Sequence, residues 1–252
     1  MTQVFNSALR TCLALLLSLQ GLLCAAAAAA EYNVQRASPV QEEEPEAELV
    51  DLHEVDPTIV IDLRYASARN IAGRPLYQPN MPALVRPSVA AKLVKAQNEL
   101  LPRGYRLKIW DAYRPKAAHD QLWQLYPNKN YVGNPTDGLG SLHTWGVAVD
   151  ATLVDDKGRD VQMPTDFDEF TPAAMLKYTG KDPFVKGHLH TLQRAMAHAG
   201  FLGMRTEWWH FISRGWSKYR PIEEPGLFAQ KREATALPRS VPPSGGSSAG
   251  SR

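Results

Sequence analysis

The chain has 252 residues, enough for one domain with a substantial core, and 44% of them are hydrophobic. Its 28 Lys and Arg residues nearly balance its 26 Asp and Glu residues, for a formal net charge of +2 at pH 7. Because nucleic-acid binding requires a concentrated excess of Lys and Arg against the phosphates, this balance argues against a nucleic-acid partner.

The first thirty residues have the layout of a secretory signal peptide. One cation, Arg10, precedes an apolar run from Cys12 to Leu23 and then a tract of alanines. The run is too short to span a hydrocarbon core of about 30 Å at a rise of about 1.5 Å per residue, which disfavours a membrane anchor. We therefore predict a signal peptide over 1–30, cleavage before Glu31, export to the bacterial periplasm and no stable membrane insertion afterwards.

The segments that flank the predicted domain also have distinct compositions. Both cysteines, Cys12 and Cys24, fall within the signal peptide, so the predicted mature chain has no disulfide framework and no thiol nucleophile. Residues 31–50 are interpreted as an acidic flexible linker. Residues 231–252 form a Pro/Gly/Ser-rich tail that has too little apolar surface to offset its ordering entropy. The folded domain is therefore predicted at 51–230.

The hydrophobic pattern of this domain predicts intermixed helices and short strands. In chain order they are strand 58–66, helix 88–101, strand 105–113, a helix with Pro115 in its first turn, strand 147–155, helix 183–200 and strand 207–212. The pattern shows neither a regular βαβ rhythm nor a glycine-rich nucleotide loop. We predict a single-domain α+β fold with a small, mainly antiparallel sheet flanked by helices.

The stretch SLHTWGVAVD, residues 141–150, contains a histidine and an aspartate seven positions apart. On an uninterrupted strand such residues point to opposite faces. Gly146 lies between His143 and Asp150 and can adopt backbone angles closed to other residues, so a turn there would bring both side chains to one face. One nitrogen and one oxygen ligand suit Zn²⁺. Taken alone, a His–Asp pair is more often a hydrogen-bonded structural pair.

The later stretch TEWWHF supplies Glu207 and His210. A catalytic zinc typically has three protein ligands, an open position for water and a carboxylate nearby to take the proton of that water. His210 would complete the ligand set and Glu207 would be the base. A three-residue spacing in a strand puts the two on opposite faces, so this arrangement requires a local turn or bulge.

Other residues have both a functional and a structural interpretation. Arg114, between a predicted strand and helix, either stabilises an oxyanion or pairs with Asp111. Trp208 and Trp209 either exclude solvent from the site or pack in the core. The remaining histidines have no partner pattern and are interpreted as solvated or structural: His53, His119, His188, His190 and His198.

Together, these separated motifs resemble the zinc D-alanyl-D-alanine dipeptidases of the hedgehog/D,D-peptidase fold group. The motifs are W-D-x-Y-R-P at 110–115, S-x-H-x-x-G-x-A-x-D at 141–150 and E-W-W-H at 207–210. The resemblance covers nearly all of the folded unit. It implies hydrolysis of a small dipeptide, D-Ala-D-Ala, with one Zn²⁺ per chain, in cell-wall peptide metabolism. Oligomeric state is left open.

The resemblance also implies a role for each matching residue. His143, Asp150 and His210 bind zinc. Glu207 acts as general base and later as general acid, and Arg114 stabilises the transition state.

Two further residues are assigned to the substrate by the same resemblance. Asp168, in the F-D of MPTDFDEF, pairs with the free ammonium, and Ser141 helps to hold the carboxylate. The chain departs from the family at Thr144 and Trp145, where members often have a small polar residue and an arginine. This departure leaves the dipeptide preference open.

Two alternative functions remain. A peptidoglycan D,D-carboxypeptidase or endopeptidase shares the first motif arm but typically has E-P-W-H in the second, so E-W-W-H favours the dipeptidase. A non-catalytic metal-dependent binding module would tolerate the loss of Glu207 and Arg114, and this chain keeps both.

Overall fold

The computed structural model describes residues 49–222. The predicted signal peptide, nearly all of the acidic linker and the C-terminal tail lie outside these residues. Leu49 is buried and Val50 begins a strand, so the described fold already includes the last two residues of the predicted linker. The other domain boundaries stay predictions.

The described residues form seven strands and four α-helices. The strands are β1 (Val50–Asp51), β2 (Val60–Ile61), β3 (Leu84–Val85), β4 (Tyr105–Asp111), β5 (Ala148–Asp155), β6 (Phe201–Met204) and β7 (Glu207–Ser213). The helices are α1 (Leu52–Val55), α2 (Pro87–Leu100), α3 (Lys116–Leu125) and α4 (Pro183–Ala199). The predicted α2, α4, β4, β5 and β7 are confirmed to within about two residues. The helix predicted with Pro115 in its first turn begins one residue later, at Lys116, and Pro115 is its N-cap.

The main sheet has five strands in the order β2-β4-β5-β7-β6. Its β2–β4 pair is parallel and its other three pairs are antiparallel, which confirms the predicted α+β fold with a mainly antiparallel sheet. A separate two-stranded sheet pairs β1 with β3. The sequence pattern does not predict β1, β3, β6 or α1, because elements of four residues or fewer are too short to show a period.

The prediction of a continuous strand over 58–66 is wrong beyond Ile61. The chain leaves the sheet there and forms a 3₁₀ turn at Arg64–Ala66. The carbonyl of Tyr65, in this turn, accepts a hydrogen bond from the backbone N–H of Tyr77. Backbone pairing with a later loop thus replaces pairing within the sheet. The alternation of apolar residues in the sequence does not distinguish these two kinds of backbone pairing.

Helix packing fixes which face of β5 is available for polar chemistry. Helices α2 and α4 pack against each other and contact β4 and β5. Val149, Ala151 and Leu153 of β5 belong to the resulting apolar core. Because side chains alternate along a strand, Asp150 lies on the opposite face. Within residues 49–222, no helix has the length and hydropathy needed to cross a membrane.

Candidate active site

A row of polar residues crosses three neighbouring strands of the main sheet. Asp150 on β5 lies opposite His210 on β7 and opposite Asp111 on β4. The second pairing depends on a bulge at Trp110, because the register shifts between Ile109 and Asp111. Residues directly opposite each other on adjacent strands have Cβ atoms about 5 Å apart. The strand register therefore brings these three buried side chains together.

His143 reaches this row from a 3₁₀ turn, Leu142–Trp145, that precedes β5. Gly146 ends the turn in the left-handed region with φ of 68°, which confirms the turn predicted at this glycine. A Cβ atom there would also lie 2.7 Å from the Leu49 Cδ2 atom. Ser141 caps the turn, because its Oγ accepts a hydrogen bond from the His143 backbone N–H at 3.3 Å.

Three potential ligand atoms converge at this point. His143 Nε2 lies 3.1 Å from His210 Nδ1 and 3.4 Å from Asp150 Oδ1, and the latter two atoms are 3.0 Å apart. A metal ion held tetrahedrally at about 2.0–2.2 Å keeps its nitrogen and oxygen ligands about 3.3 Å apart. The three observed separations are close to that spacing, so these residues form a candidate metal site.

Hydrogen bonding around the site fits a cation. His143 Nδ1 donates to the Ala112 carbonyl oxygen at 2.9 Å, which leaves a lone pair on Nε2, directed toward the other two atoms. Burial opposes ionisation of Asp150, but the His143 and His210 rings together outweigh burial and hold the pKa of this carboxyl below its ordinary value. Two ring nitrogens and an ionised carboxylate thus face one another, an arrangement that a bound cation satisfies.

Strand β7, which carries Glu207, has a bulge of the kind that the spacing of Glu207 and His210 requires. Pairing between β6 and β7 shifts from Gly203 opposite Phe211 to Met204 opposite Glu207. The three residues from Trp208 to His210 are therefore extra on β7. A bulge of this kind changes the direction of side chains relative to the regular alternation of a strand. Glu207 is therefore not forced to the face opposite His210.

The Glu207 carboxyl lies in a low-dielectric environment. Its Oε1 atom is buried and has no hydrogen-bond partner among residues 49–222. Burial raises the pKa of Glu207 well above its ordinary value, and the charges of Asp150 and Asp168 raise it further. Such a carboxyl holds a proton more readily than an exposed one, which suits a group that must accept and later return a proton.

Arg114 is buried beside the candidate ligands. Asp111 Oδ2 accepts hydrogen bonds from Arg114 Nε at 3.0 Å and from Nη2 at 2.7 Å. The same Nη2 atom lies 3.9 Å from Asp150 Oδ2, and the guanidinium carbon lies 4.7 Å from the centre of the Tyr65 ring. The ion pair with Asp111 is therefore present, and it holds the guanidinium next to a candidate ligand.

Asp111 has more contacts than the sequence indicates. Besides Arg114, its Oδ1 atom accepts hydrogen bonds from the Tyr77 hydroxyl and from the Ala112 backbone N–H. Its other oxygen lies 3.4 Å from His143 Nδ1. Sequence reasoning identifies Asp111 only as an alternative partner of Arg114, although its place inside the W-D-x-Y-R-P motif is a signal for a larger role.

Asp168 is a buried carboxyl on a strained backbone, with φ of 57°. The Tyr65 hydroxyl donates to Oδ1 at 3.4 Å and the Ile71 backbone N–H donates to Oδ2 at 3.1 Å. Burial raises the pKa of Asp168 to about 7, although the hydrogen bond from Ile71 and the charge of Arg114 oppose this rise. A carboxyl in this environment would gain from a cationic partner.

The two tryptophans of the E-W-W-H motif pack in the core. Trp208 and Trp209 are fully buried and contact each other edge-to-face. Trp208 Nε1 donates to Thr165 Oγ1 at 2.9 Å. Trp145 is buried against Trp216.

Comparison with known proteins places these residues within one family. The family model of the Peptidase M15 D-Ala-D-Ala dipeptidases matches residues 45–223. A D-alanyl-D-alanine dipeptidase of Escherichia coli K12 is 37% identical over 164 residues, which cover 65% of this chain and 83% of the relative. One from Enterococcus faecalis V583 is 30% identical over 188 residues, which cover 65% of this chain and 86% of the relative. The matched range contains all of the candidate site residues.

Replacing His143 by alanine is expected to lower the metal content of the purified protein to less than about half that of the unmodified chain. The reason is that one of three candidate ligands is removed. Metal per chain, measured by mass spectrometry after gel filtration in a metal-buffered solution, tests this. His190→Ala is the matched control, because His190 is exposed on α4. Unchanged metal content in the His143 variant would exclude His143 from the ligand set.

Proposed function

The chain belongs to the D-Ala-D-Ala dipeptidase family of Peptidase M15, and we propose that it hydrolyses D-alanyl-D-alanine to two D-alanines with one zinc ion per chain. The observation that carries this proposal is the convergence of His143 Nε2, Asp150 Oδ1 and His210 Nδ1 at tetrahedral spacing. Two imidazoles and one carboxylate are a donor set that suits zinc, and three protein ligands are typical of a catalytic zinc.

The residues beside this site have separate roles in peptide hydrolysis. When bound, the zinc ion supplies a Lewis acid that polarises the scissile carbonyl and lowers the pKa of water. Glu207 takes the proton of the attacking water and returns it to the leaving amine, a role supported by its free Oε1 atom and its raised pKa. Arg114, held by Asp111, stabilises the charge that develops on the carbonyl oxygen.

The two ends of the dipeptide are assigned to Asp168 and Ser141. The Asp168 carboxylate pairs with the free ammonium, which compensates its burial. The Ser141 oxygen already accepts from the His143 N–H, so its hydroxyl proton is available to the substrate carboxylate. A longer peptide has an amide in place of the ammonium and would leave Asp168 without its partner. This consideration favours a free dipeptide over a peptidoglycan chain.

The cellular setting is proposed from the sequence alone. The predicted signal peptide over 1–30 supports export to the periplasm, and the resemblance to the dipeptidases supports a role there in cell-wall peptide metabolism. The mass of the mature chain tests this, because cleavage before Glu31 gives a defined value and an intact Met1 contradicts it.

Replacing Glu207 by glutamine is expected to leave the metal content unchanged and to lower kcat on D-Ala-D-Ala by roughly 10²–10⁴-fold, because an amide cannot accept the proton. D-Alanine release and metal content are measured on the same samples. Glu99→Gln is the control, because Glu99 pairs with Arg194 and His198 on the surface. Turnover within about twofold of the unmodified protein in the Glu207 variant would remove Glu207 from the role of base.

Acetylation of the substrate amine is expected to lower kcat/KM by roughly 100-fold, because the Asp168 carboxylate is then buried beside a neutral group. Hydrolysis of D-Ala-D-Ala and of N-acetyl-D-Ala-D-Ala is compared by release of D-alanine. A muropeptide ending in D-Ala-D-Ala is the third substrate. Equal kcat/KM values for the dipeptide and the muropeptide would support the carboxypeptidase alternative and contradict the proposed dipeptidase.

A further inference from the structure

His119 is a buried histidine that the proposed chemistry does not use. It lies on α3, and only 1% of its surface is exposed. Its Nε2 atom lies 2.8 Å from the Gly133 carbonyl oxygen and its Nδ1 atom lies 3.4 Å from Arg114 Nη1. The sequence suggests a solvated or structural role for this histidine. The structure excludes the solvated role and places His119 between the guanidinium of Arg114 and a loop carbonyl.

The two neighbours determine which ring nitrogen carries the proton. A carbonyl oxygen only accepts hydrogen bonds, so Nε2 of His119 must donate to Gly133. A guanidinium only donates, so Nδ1 must present its lone pair to Arg114. Burial lowers the pKa of His119 to about 4, and the charge of Arg114 also lowers it. The ring is therefore neutral and accepts a hydrogen bond from Arg114.

The contact with His119 adds a third hydrogen bond to the guanidinium group of Arg114. Asp111 accepts from Nε and Nη2 along one edge, and His119 accepts from Nη1 at the remaining corner. The Tyr65 ring covers one face. One N–H on each Nη atom stays free of these contacts. Rotation of the guanidinium out of this plane would break hydrogen bonds at both ends.

The far side of His119 contacts the loop that precedes the metal-site turn. A Cβ atom on Gly133 would lie 2.3 Å from the Gly140 carbonyl oxygen, so the two backbone segments are in close contact. Gly140 directly precedes Ser141, which caps the turn that carries His143. His119 thus ties the orientation of Arg114 to the backbone that leads into this turn.

We propose that His119 is a positioning residue that orients Arg114, so that the free N–H groups of the guanidinium meet the oxyanion that forms during hydrolysis. The inference rests on the proposed function, because His119 acts only through the role of Arg114. His119 lies beyond W-D-x-Y-R-P and is therefore outside the motifs by which the chain resembles its family. Its effect is expected on kcat more than on KM, because the contact matters most in the transition state.

The first test compares two substitutions at this position. His119→Leu removes the acceptor and is expected to lower kcat on D-Ala-D-Ala by roughly tenfold, with unchanged metal content. His119→Asn restores an oxygen near the Nδ1 position but cannot reach Gly133, and it is expected to recover most of that loss. His198→Asn, on the exposed side of α4, is the matched control. Equal kcat losses in the Leu and Asn variants would overturn the inference.

A double-mutant cycle separates positioning from a general structural role. In an Arg114→Ala background, His119→Leu is expected to cause no further loss of kcat, because the group that it orients is absent. A full additional loss in that background would overturn the inference and leave the proposed function intact. Unchanged kcat in Arg114→Ala alone would overturn the role of Arg114 in the proposed function, and the inference with it.

A spectroscopic measurement reports the tautomer of His119 in the unmodified protein. Nitrogen-15 NMR of the metal-loaded protein, with the His119 signals identified by their loss in His119→Asn, reports the tautomer directly. The expected result at pH 7 is a proton on Nε2 and none on Nδ1. A proton on Nδ1 would overturn the inference, because that nitrogen could not then accept from Arg114.

Discussion

The pairing of Asp150 with His210 on one side and with Asp111 on the other is the constraint on which the rest of the site depends. It places a candidate ligand pair and the partner of Arg114 in one buried row, and it requires the bulge at Trp110. Four acidic groups, Asp111, Asp150, Asp168 and Glu207, are buried in this region. Arg114 pairs with Asp111 and lies 3.9 Å from Asp150. Buried carboxylates are costly unless cations compensate them. A divalent ion at the ligand atoms would supply part of that missing charge.

Some residues of this site could be predicted from the sequence, and others could not. His143, Asp150, Glu207 and His210 follow from residue type and spacing, because metal chemistry restricts both. The convergence of His143, Asp150 and His210 depends on a glycine turn at 146, and the proposed place of Glu207 beside them depends on a bulge in β7. The sequence indicates that each is needed, but it does not contain the register that produces the bulge. Asp111 and His119 act through contacts with Arg114, and such contacts appear only when the strands and α3 are in place.

The organisation of the site also suggests which part of it determines substrate specificity. Core packing of Trp208 and Trp209 fixes the strand that carries Glu207 and His210, whereas Asp168 lies on a loop with strained backbone. In the proposed function the rigid sheet holds the reacting groups and the loop reads the substrate ammonium. A site of this kind can keep its chemistry and change its specificity by changes in the loop alone. Membership of the family is thus compatible with a dipeptide preference that differs from that of the relatives.

The most direct test of the central claim is X-ray absorption spectroscopy of the zinc-loaded protein, with and without the Asp150→Ala substitution. Two imidazole nitrogens are expected at about 2.0–2.1 Å and one carboxylate oxygen at about 2.0–2.2 Å, and the carboxylate scatterer is expected to be lost in the variant. A zinc environment that is unchanged by Asp150→Ala, or that contains no imidazole, would contradict the claim that the strand pairing at Asp150 builds the metal site.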